Sequence, residues 1–332
     1  MAIKSSGNPL SFQEIEDEFG QNPGRSLGRY RNSHPDFKNE NLGELTDLPL
    51  DTGIPKTGEI KFSDFYSKQA NIVVDLFESG NANHSLNVFT NRFLNGDYHI
   101  VGKYRTTVSK NTWQGGKKVI IHINKTFGSA GAPTSNAENA IDTVAVDMGN
   151  IDNNNSNHWP TATDFQIDVG SEGLVGGRGG RGGNAGNEES AGENGLHGTS
   201  GMKIHPGFQD EISGESRIFG GGGGGGSGSG SEQNDWGDRN SAGGGAGGGG
   251  AGIPAGADGT ANGSGENGGT GDAPGNNDGG DGGSGADDAE AEGGNGGNGG
   301  GRNSNGGNAT NGKNLAGGNG NGGNGGAQYR FY

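Results

Sequence analysis

Apolar residues are spread unevenly along this chain, and their spacing changes character twice. Near the start, Phe12, Ile15 and Phe19 fall on one helical stripe, Ser11-Phe12-Gln13-Glu14 fits a capping box, and Gly20 stands where a C-terminal stop belongs. Isolated helices under about 12 to 15 residues are marginal in water, so this stripe is expected to dock onto something. Leu48 to Pro55 reads as extended chain punctuated by turns, and Ile60 to Lys68 predicts a second short helix with Ser63 as cap and Phe62, Phe65 and Tyr66 as anchors. Residues 1–70 are therefore either a helical subdomain packed on its neighbour or a docking segment that attaches to a larger assembly. From 71 to 170 the alternation is of the β kind. Ile72–Phe77, Leu86–Phe93, Tyr98–Thr107, Val119–Phe127, Thr143–Met148 and Phe165–Val169 are strand candidates separated by Asn, Gly, Ser and Asp. Six strands make a small sandwich or a stack of β rungs, with His122 a satisfied sheet histidine inside the most apolar run.

After Val169 the apolar pattern shrinks to snippets, Leu174-Val175, Met202 to Ile204 and Ile218-Phe219, each feeding into or out of a glycine tract. Such snippets would join a glycine lattice to the β domain at one end. Within the tracts the period is three: Gly176 to Asn184 holds two Gly-Gly-Arg triplets followed by Gly-Gly-Asn, and the phasing returns at Gly279-Gly280-Asp281 and Gly293-Gly294-Asn295. A left-handed helix of three residues per turn has no internal hydrogen bonds, so all its N–H and C=O groups point sideways to neighbouring copies. Gly-Gly-X decorates one edge and leaves two bare. Pure runs such as Gly220–Gly226 can be surrounded on all sides, whereas Gly-Gly-X tracts belong outside with Arg178, Arg181, Asp281 or Asn295 facing water. The predicted fold class is mostly β and irregular: short N-terminal helices, a β-rich domain over 71–170, and a bundle of polyglycine-II helices with presenting loops over 171–332. A nine-residue tract would span about 28 Å at about 3.1 Å per residue. Polar loops between tracts include Ser231–Asn240, Ile253–Gly259 and Asp287–Glu292.

Composition narrows the functional classes. The 332 residues include 78 Gly, 10 Pro and no Cys, with a net charge of -16. Collagen needs one Gly in three with abundant Pro, the inverse of this pattern. From Gly170 onward 8 Lys or Arg stand against 19 Asp or Glu, which repels phosphate backbones, so nucleic-acid binding is not expected. No stretch approaches the roughly 20 apolar residues of a bilayer span, and Met1–Pro9 lacks the apolar core of a secretory signal, so membrane insertion is not expected either. The Gly-x-Gly-x-x-Gly matches carry no weight in this background, and no Gly-Lys-Ser or Gly-Lys-Thr is present. The seven histidines are scattered, without a zinc-hydrolase motif, and the pairs Asp235/Asp238 and Asp287/Asp288 read as surface charge rather than as acid and base. Gly282 to Glu290 fits a single calcium-type nonapeptide, but one repeat is not an array, and Asp287, Asp288, Glu290 and Glu292 would hold a cation loosely at most. No catalytic residue, metal site or cofactor is assigned, and an enzyme is not expected.

For recognition the first candidates are Asn234, Asp235, Trp236, Asp238 and Arg239 in the loop between Gly230 and Ser241. Trp and Arg are common interface anchors, and an aromatic ring stacks on sugars. Trp236, the one tryptophan after Gly170, either anchors a partner or covers a seam of the lattice. The closing Tyr329-Arg330-Phe331-Tyr332 reads as a packed closure against the scaffold.

The junctions Val169-Gly170, Val175-Gly176-Gly177-Arg178-Gly179-Gly180 and Ile218-Phe219-Gly220, followed by alternating glycine runs and loops, carry a resemblance. Over about 170–332 the chain resembles the glycine-rich distal adhesins at the tips of T-even-like phage long tail fibres. Met1 to Gly7, Leu48 to Pro55 and Ile60 to Tyr66 look like the opening of tailed-phage structural proteins. The resemblance implies a virion tail-fibre or baseplate-associated adhesin, made in the host cytoplasm, whose loops on a polyglycine scaffold contact a host surface protein or glycan. It also implies other tail or fibre proteins as partners and a homo-oligomer such as a trimer. The competing reading is a structural spacer or decoration without a specific receptor.

Overall fold

The computed structural model describes residues 3–19, 24–30, 51, 53–55, 57–69, 72–76, 86–95, 99–100, 118–130, 143–152, 158–159, 164–186, 191–206, 212–228, 231–235, 238–242, 244–261, 267–271, 278–285, 294–310, 321–322, 324–325 and 328–331. Gly20, half of Leu48–Pro55, Tyr98 and residues 101–107 of the third strand candidate, Trp236, and the group Asp287, Asp288, Glu290 and Glu292 lie outside them. Among the described residues strands and irregular segments dominate, and helices are few and short.

The β region is built as stacked rungs. A first sheet holds β1 (Ile72–Leu76), β4 (Lys118–Ile123), β7 (Asp164–Val169) and β10 (Ile212–Ser213) in parallel, with β3 (His99–Ile100) antiparallel on the β1 edge. A second sheet is formed by β5 (Thr126–Gly128), β8 (Leu174–Gly176) and β11 (Ile218–Phe219), also parallel. A third contains β2 (Leu86–Asn87), β6 (Val144–Asp147), β9 (Ser200–Ile204) and β14 (Tyr329–Phe331), again parallel. The chain visits the three sheets in turn, and each circuit lays its strands beside those of the one before. The apolar snippets beyond Val169 therefore supply rungs: Val175, Met202, Ile204 and Ile218 are buried in the same core as Ile72, Val119 and Ile167.

The period-two pattern assigns the faces of the first sheet. Ile72, Val74, Leu76, Val119, Ile121, Ile123, Phe165, Ile167 and Val169 point into the rung core, while Val73 and Ile120 point the other way. That outer face is covered by Ile3, Ile15, Phe19, Tyr30, Ile54 and Phe65 from the N-terminal segment. Double coverage explains why β1 and β4 read as nearly continuous apolar runs, whereas β7 alternates. The first helix, α1 (Phe12–Phe19), forms as its capping box requires: Ser11 N–H donates to Glu14 Oε2 at 2.8 Å, and Glu14 N–H donates to Ser11 Oγ at 3.2 Å. The second helix shortens to one turn of 3-10 helix, Phe62–Phe65, capped by Asp64 accepting the Lys61 N–H rather than by Ser63.

The strand expected over Leu86–Phe93 ends at Asn87. There the Asn87 side chain accepts the Thr90 N–H while Asn91 Oδ1 accepts the Asn87 N–H, and the chain turns into a single π-helical turn, Phe89–Phe93. These local side-chain bonds compete with the ladder and win. The turn delivers Phe89 and Phe93 onto Trp159, which also packs on Phe165 and donates its indole N–H to the Met148 carbonyl at 2.7 Å. His122 is buried in the first sheet, with Nε2 3.8 Å from an Asp168 carboxylate oxygen.

Candidate functional site

Glycine tracts leave the second sheet as direct continuations of its strands. The parallel pairing of β8 with β11 runs on as Gly177 N–H to Phe219 O, Gly180 to Gly222, Gly183 to Gly225 and Gly186 to Gly228, one bond every third residue. The intervening N–H groups of Gly179, Gly182 and Ala185 go to a different neighbour, at Pro254, Ala257 and Thr260. Each tract thus distributes its backbone groups sideways in several directions, and none within itself.

Ten such tracts occur among the described residues. Segments 177–186, 219–228, 255–261, 278–285 and 303–310 run away from the rungs, and 191–199, 244–253, 267–271, 294–301 and the pairs 321–322 and 324–325 return, as the senses of their bond registers show. Tract 244–253 exchanges backbone bonds with six neighbours, 177–186, 219–228, 294–301, 278–285, 267–271 and 255–261, which are bonded to one another around it. Tract 219–228 likewise has backbone-bonded neighbours 177–186, 191–199, 244–253, 294–301 and 303–310. Both are buried at every described position, as expected of the purest glycine runs. Close approach demands glycine here: a Cβ on Gly224 would land on the Arg181 carbonyl oxygen, far inside the 3.0 Å limit of real Cβ contacts.

Outer tracts carry the Gly-Gly-X phase as burial. Positions 294, 297 and 300 are buried and 295 and 298 exposed; 280 and 283 are buried and 278, 281 and 284 exposed. The X side chains do more than face water. Asn298 Oδ1 accepts the Gly282 N–H at 2.9 Å, Asn295 the Gly285 N–H at 2.8 Å, Asn308 the Gly322 N–H at 3.0 Å and Asn305 the Gly325 N–H at 2.9 Å. At the edge, where a donor lacks a neighbouring carbonyl, an asparagine amide supplies one. His197 Nδ1 does the same for Asn324 N–H at 2.7 Å. The triplet repeat in the sequence revealed the edge, but not this bonding role.

The alternation of direction has a consequence for the candidate site. The tract ends at 186 and 191, 228 and 244, 261 and 267, 285 and 294, and 310 and 321 all lie at the side remote from the rungs, and the chain direction is opposite on the two sides of each pair. That end is stitched by polar side chains. Ser227 Oγ, buried at the last turn of its tract, lies against the carbonyls of Asn184 and Glu193. Asn184 Oδ1 accepts the Thr260 N–H at 3.0 Å, Asn267 Oδ1 accepts the Ala261 N–H at 2.7 Å, and Thr310 Oγ1 accepts the Asn295 N–H at 2.9 Å. Arg181 bridges to Glu193 at 3.3 Å and to Asn184 at 2.8 Å beside them. Sequence reasoning passed over Asn184, Ser227 and Thr310; their signal is a hydrogen-bonding residue placed where a glycine run stops.

One reversal is elaborated into a strand pair, β12 (Ser231–Asp235) and β13 (Asp238–Ala242), antiparallel with Asn234 opposite Arg239 and Asp235 opposite Asp238. Four of the five predicted recognition residues thus occupy the last two paired positions of one hairpin, and the fifth, Trp236, lies outside the described residues. By contrast, Ile253–Gly259 is no presenting loop: Ile253 is buried against the rungs, and Gly256 and Gly259 bond to Gly250 and Gly247 as part of a tract. Arg178, half-buried along an outer edge, has its pKa lowered by desolvation. No group of three or more His, Cys, Asp or Glu suited to a metal occurs among the described residues, and none of their helices is long and apolar enough to cross a membrane.

The sequence matches no protein-family model and no curated protein. Among solved structures the chain is similar to the gp37–gp38 adhesin tip complex of the bacteriophage S16 long tail fiber, at 18% identity over 99% of this chain and 96% of that chain, with a TM-score of 0.30.

Proposed function

We propose that this chain is a non-enzymatic virion protein, a tail-fibre or baseplate-associated adhesin that contacts the host cell surface through the reversals at the far end of its glycine lattice. The observation that carries the reading is the gathering of five reversals, one bearing the β12–β13 hairpin, at the end of a solid block with little side-chain freedom. In this reading the tracts are polyglycine-II helices, whose three-residue turn matches the three-residue bond period. Contacts made by loops held on a rigid frame give up little conformational entropy on binding, which suits recognition. The N-terminal segment and rungs join other tail or fibre proteins, as the sequence resemblance implies, and the assembled form is a homo-oligomer. Asn234, Asp235, Trp236, Asp238 and Arg239 are the proposed receptor contacts, toward a surface protein or glycan.

The test is to replace residues 233–240 by a Gly-Ser linker of equal length in the full chain and measure competition with phage adsorption to host cells. Loss of competition with an unchanged melting curve supports the reading. Undiminished competition removes the hairpin from it, and a wild-type protein that neither binds cells nor competes would favour a spacer.

A further inference from the structure

A cavity of ≈ 780 Å³ opens at the opposite end of the lattice, where the last rung meets the first turn of the tracts. It is lined by Glu215, Phe219, Asp278, Arg302, Asn303 and Gln328, among others. These residues come from four separate stretches of chain, so the cavity exists only once rungs and lattice have both formed. Its frame is stiff. The turn at Asn303, whose φ is +58°, is clamped to the start of tract 219–228 by two bonds: Asn303 N–H donates to the Gly220 carbonyl and Gly220 N–H donates to Asn303 Oδ1. Gln328 donates its side-chain N–H to the Glu215 carbonyl at 3.0 Å, which fixes the opposite wall.

Arg302 is the unusual member. Its guanidinium carbon stands 3.8 Å from the centre of the Phe219 ring, and its Nη2 is buried without a hydrogen-bond partner. Desolvation lowers its pKa. A buried donor with no partner calls for an explanation, and a bound group that reorients the guanidinium supplies one. The size falls within the range of small-molecule pockets, but the wall is polar rather than apolar, which selects against a greasy ligand. The charges decide further. Glu215 and Asp278 outnumber Arg302, so a phosphate or other polyanion is repelled, whereas a ligand of neutral hydroxyls meets both donors and acceptors.

We propose that this junction cavity binds a short neutral oligosaccharide, with Arg302 and Asn303 donating to its hydroxyl oxygens and Asp278 and Glu215 accepting from its hydroxyl hydrogens. The site is independent of the far-end hairpin and would exist whether or not that hairpin recognises a receptor.

The experiment is saturation-transfer NMR on the full chain with a panel of neutral trisaccharides built from glucose, galactose, mannose and N-acetylglucosamine. At least one is expected to give transfer that falls more than fivefold in Arg302→Ala and in Asp278→Asn, and that persists when residues 233–240 are replaced. Asp278 is exposed, so its variant tests the site without disturbing the fold. No transfer from any member of the panel, or transfer unchanged in Asp278→Asn and Arg302→Ala, overturns the proposal. Transfer lost on hairpin replacement alone overturns it too, because the sugar would then sit at the far end.

Discussion

The rungs and the glycine lattice solve the same problem with opposite means. Both pair interior backbone groups with neighbouring segments, and both grow by laying parallel or antiparallel segments side by side. In the rungs, side chains drive assembly: Trp159, Phe89, Phe165 and the Ile and Val rows remove a large apolar area from water, at roughly 25 cal/mol per Å². In the lattice there is almost nothing to bury except backbone. Ordering a residue costs roughly 1 to 2 kcal/mol, with glycine at the high end, and one hydrogen bond returns only about 0.5 to 1.5 kcal/mol net. A single tract therefore cannot stand, and order arrives only when a tract such as 244–253 has neighbours on every side. The rungs supply what the lattice lacks, because β8 and β11 are already aligned when Gly177 and Gly220 leave them. The difference teaches that rung positions should tolerate conservative change in proportion to the volume altered, whereas lattice positions divide sharply into interior and edge.

The sharpest way to break that contrast is Gly224→Val. With its Cβ directed at the Arg181 carbonyl, the tract must leave its neighbours, and the loss is expected to exceed about 4 kcal/mol. Hydrogen exchange should show amides of 220–228 and 244–253 becoming fast while those of 118–123 stay slow; continued protection in both tracts would mean the lattice does not depend on close backbone approach. Next comes Trp159→Ala, which removes the centre of the rung core and the indole bond to Met148, at about 3 to 5 kcal/mol in a denaturant melt. Asn298→Ala, at the lattice edge, deletes one acceptor for the Gly282 N–H that water can replace. It should cost about 1 kcal/mol or less, and a loss like that of Gly224→Val would erase the distinction between edge and interior.

The smallest effect concerns the N-terminal cover. Glu14 titrates at about 2 instead of 4.5, chiefly because its carboxylate is bonded to the Lys4 ammonium and then because Ser11 donates to it from both N–H and hydroxyl. A lowered carboxyl pKa stabilises the fold fully above about 4.5, and that contribution fades as pH falls through about 2. Because the Glu14 side chain is open to water and its ion pair is screened, the effect on stability is slight. Lys4→Met should move the Glu14 titration back toward 4.5 in an NMR pH series, and an unmoved titration would remove Lys4 as the leading cause.

What the sequence determined by itself is local and periodic. The capping box around Ser11 and Glu14, the two faces of Val119–Ile123, and the separation of pure glycine runs from Gly-Gly-X runs all follow from spacing, because spacing fixes which edge of a segment a side chain occupies. Tertiary structure decided who neighbours whom. Glycine carries no side chain with which to specify a partner, so nothing in the glycines of tract 244–253 could announce its six neighbours or their directions, and the gathering of the five outgoing-to-returning tract ends at the far side emerges only from the assembled register. The same holds for Asn298 and Asn308, whose amides look like plain surface polarity until the next tract brings a backbone donor within 3.0 Å. Leu86–Phe93 failed as a strand because Asn87 and Asn91 found backbone partners close at hand. The cavity around Arg302 was illegible for a further reason: it lies between two kinds of architecture, and only their meeting creates it.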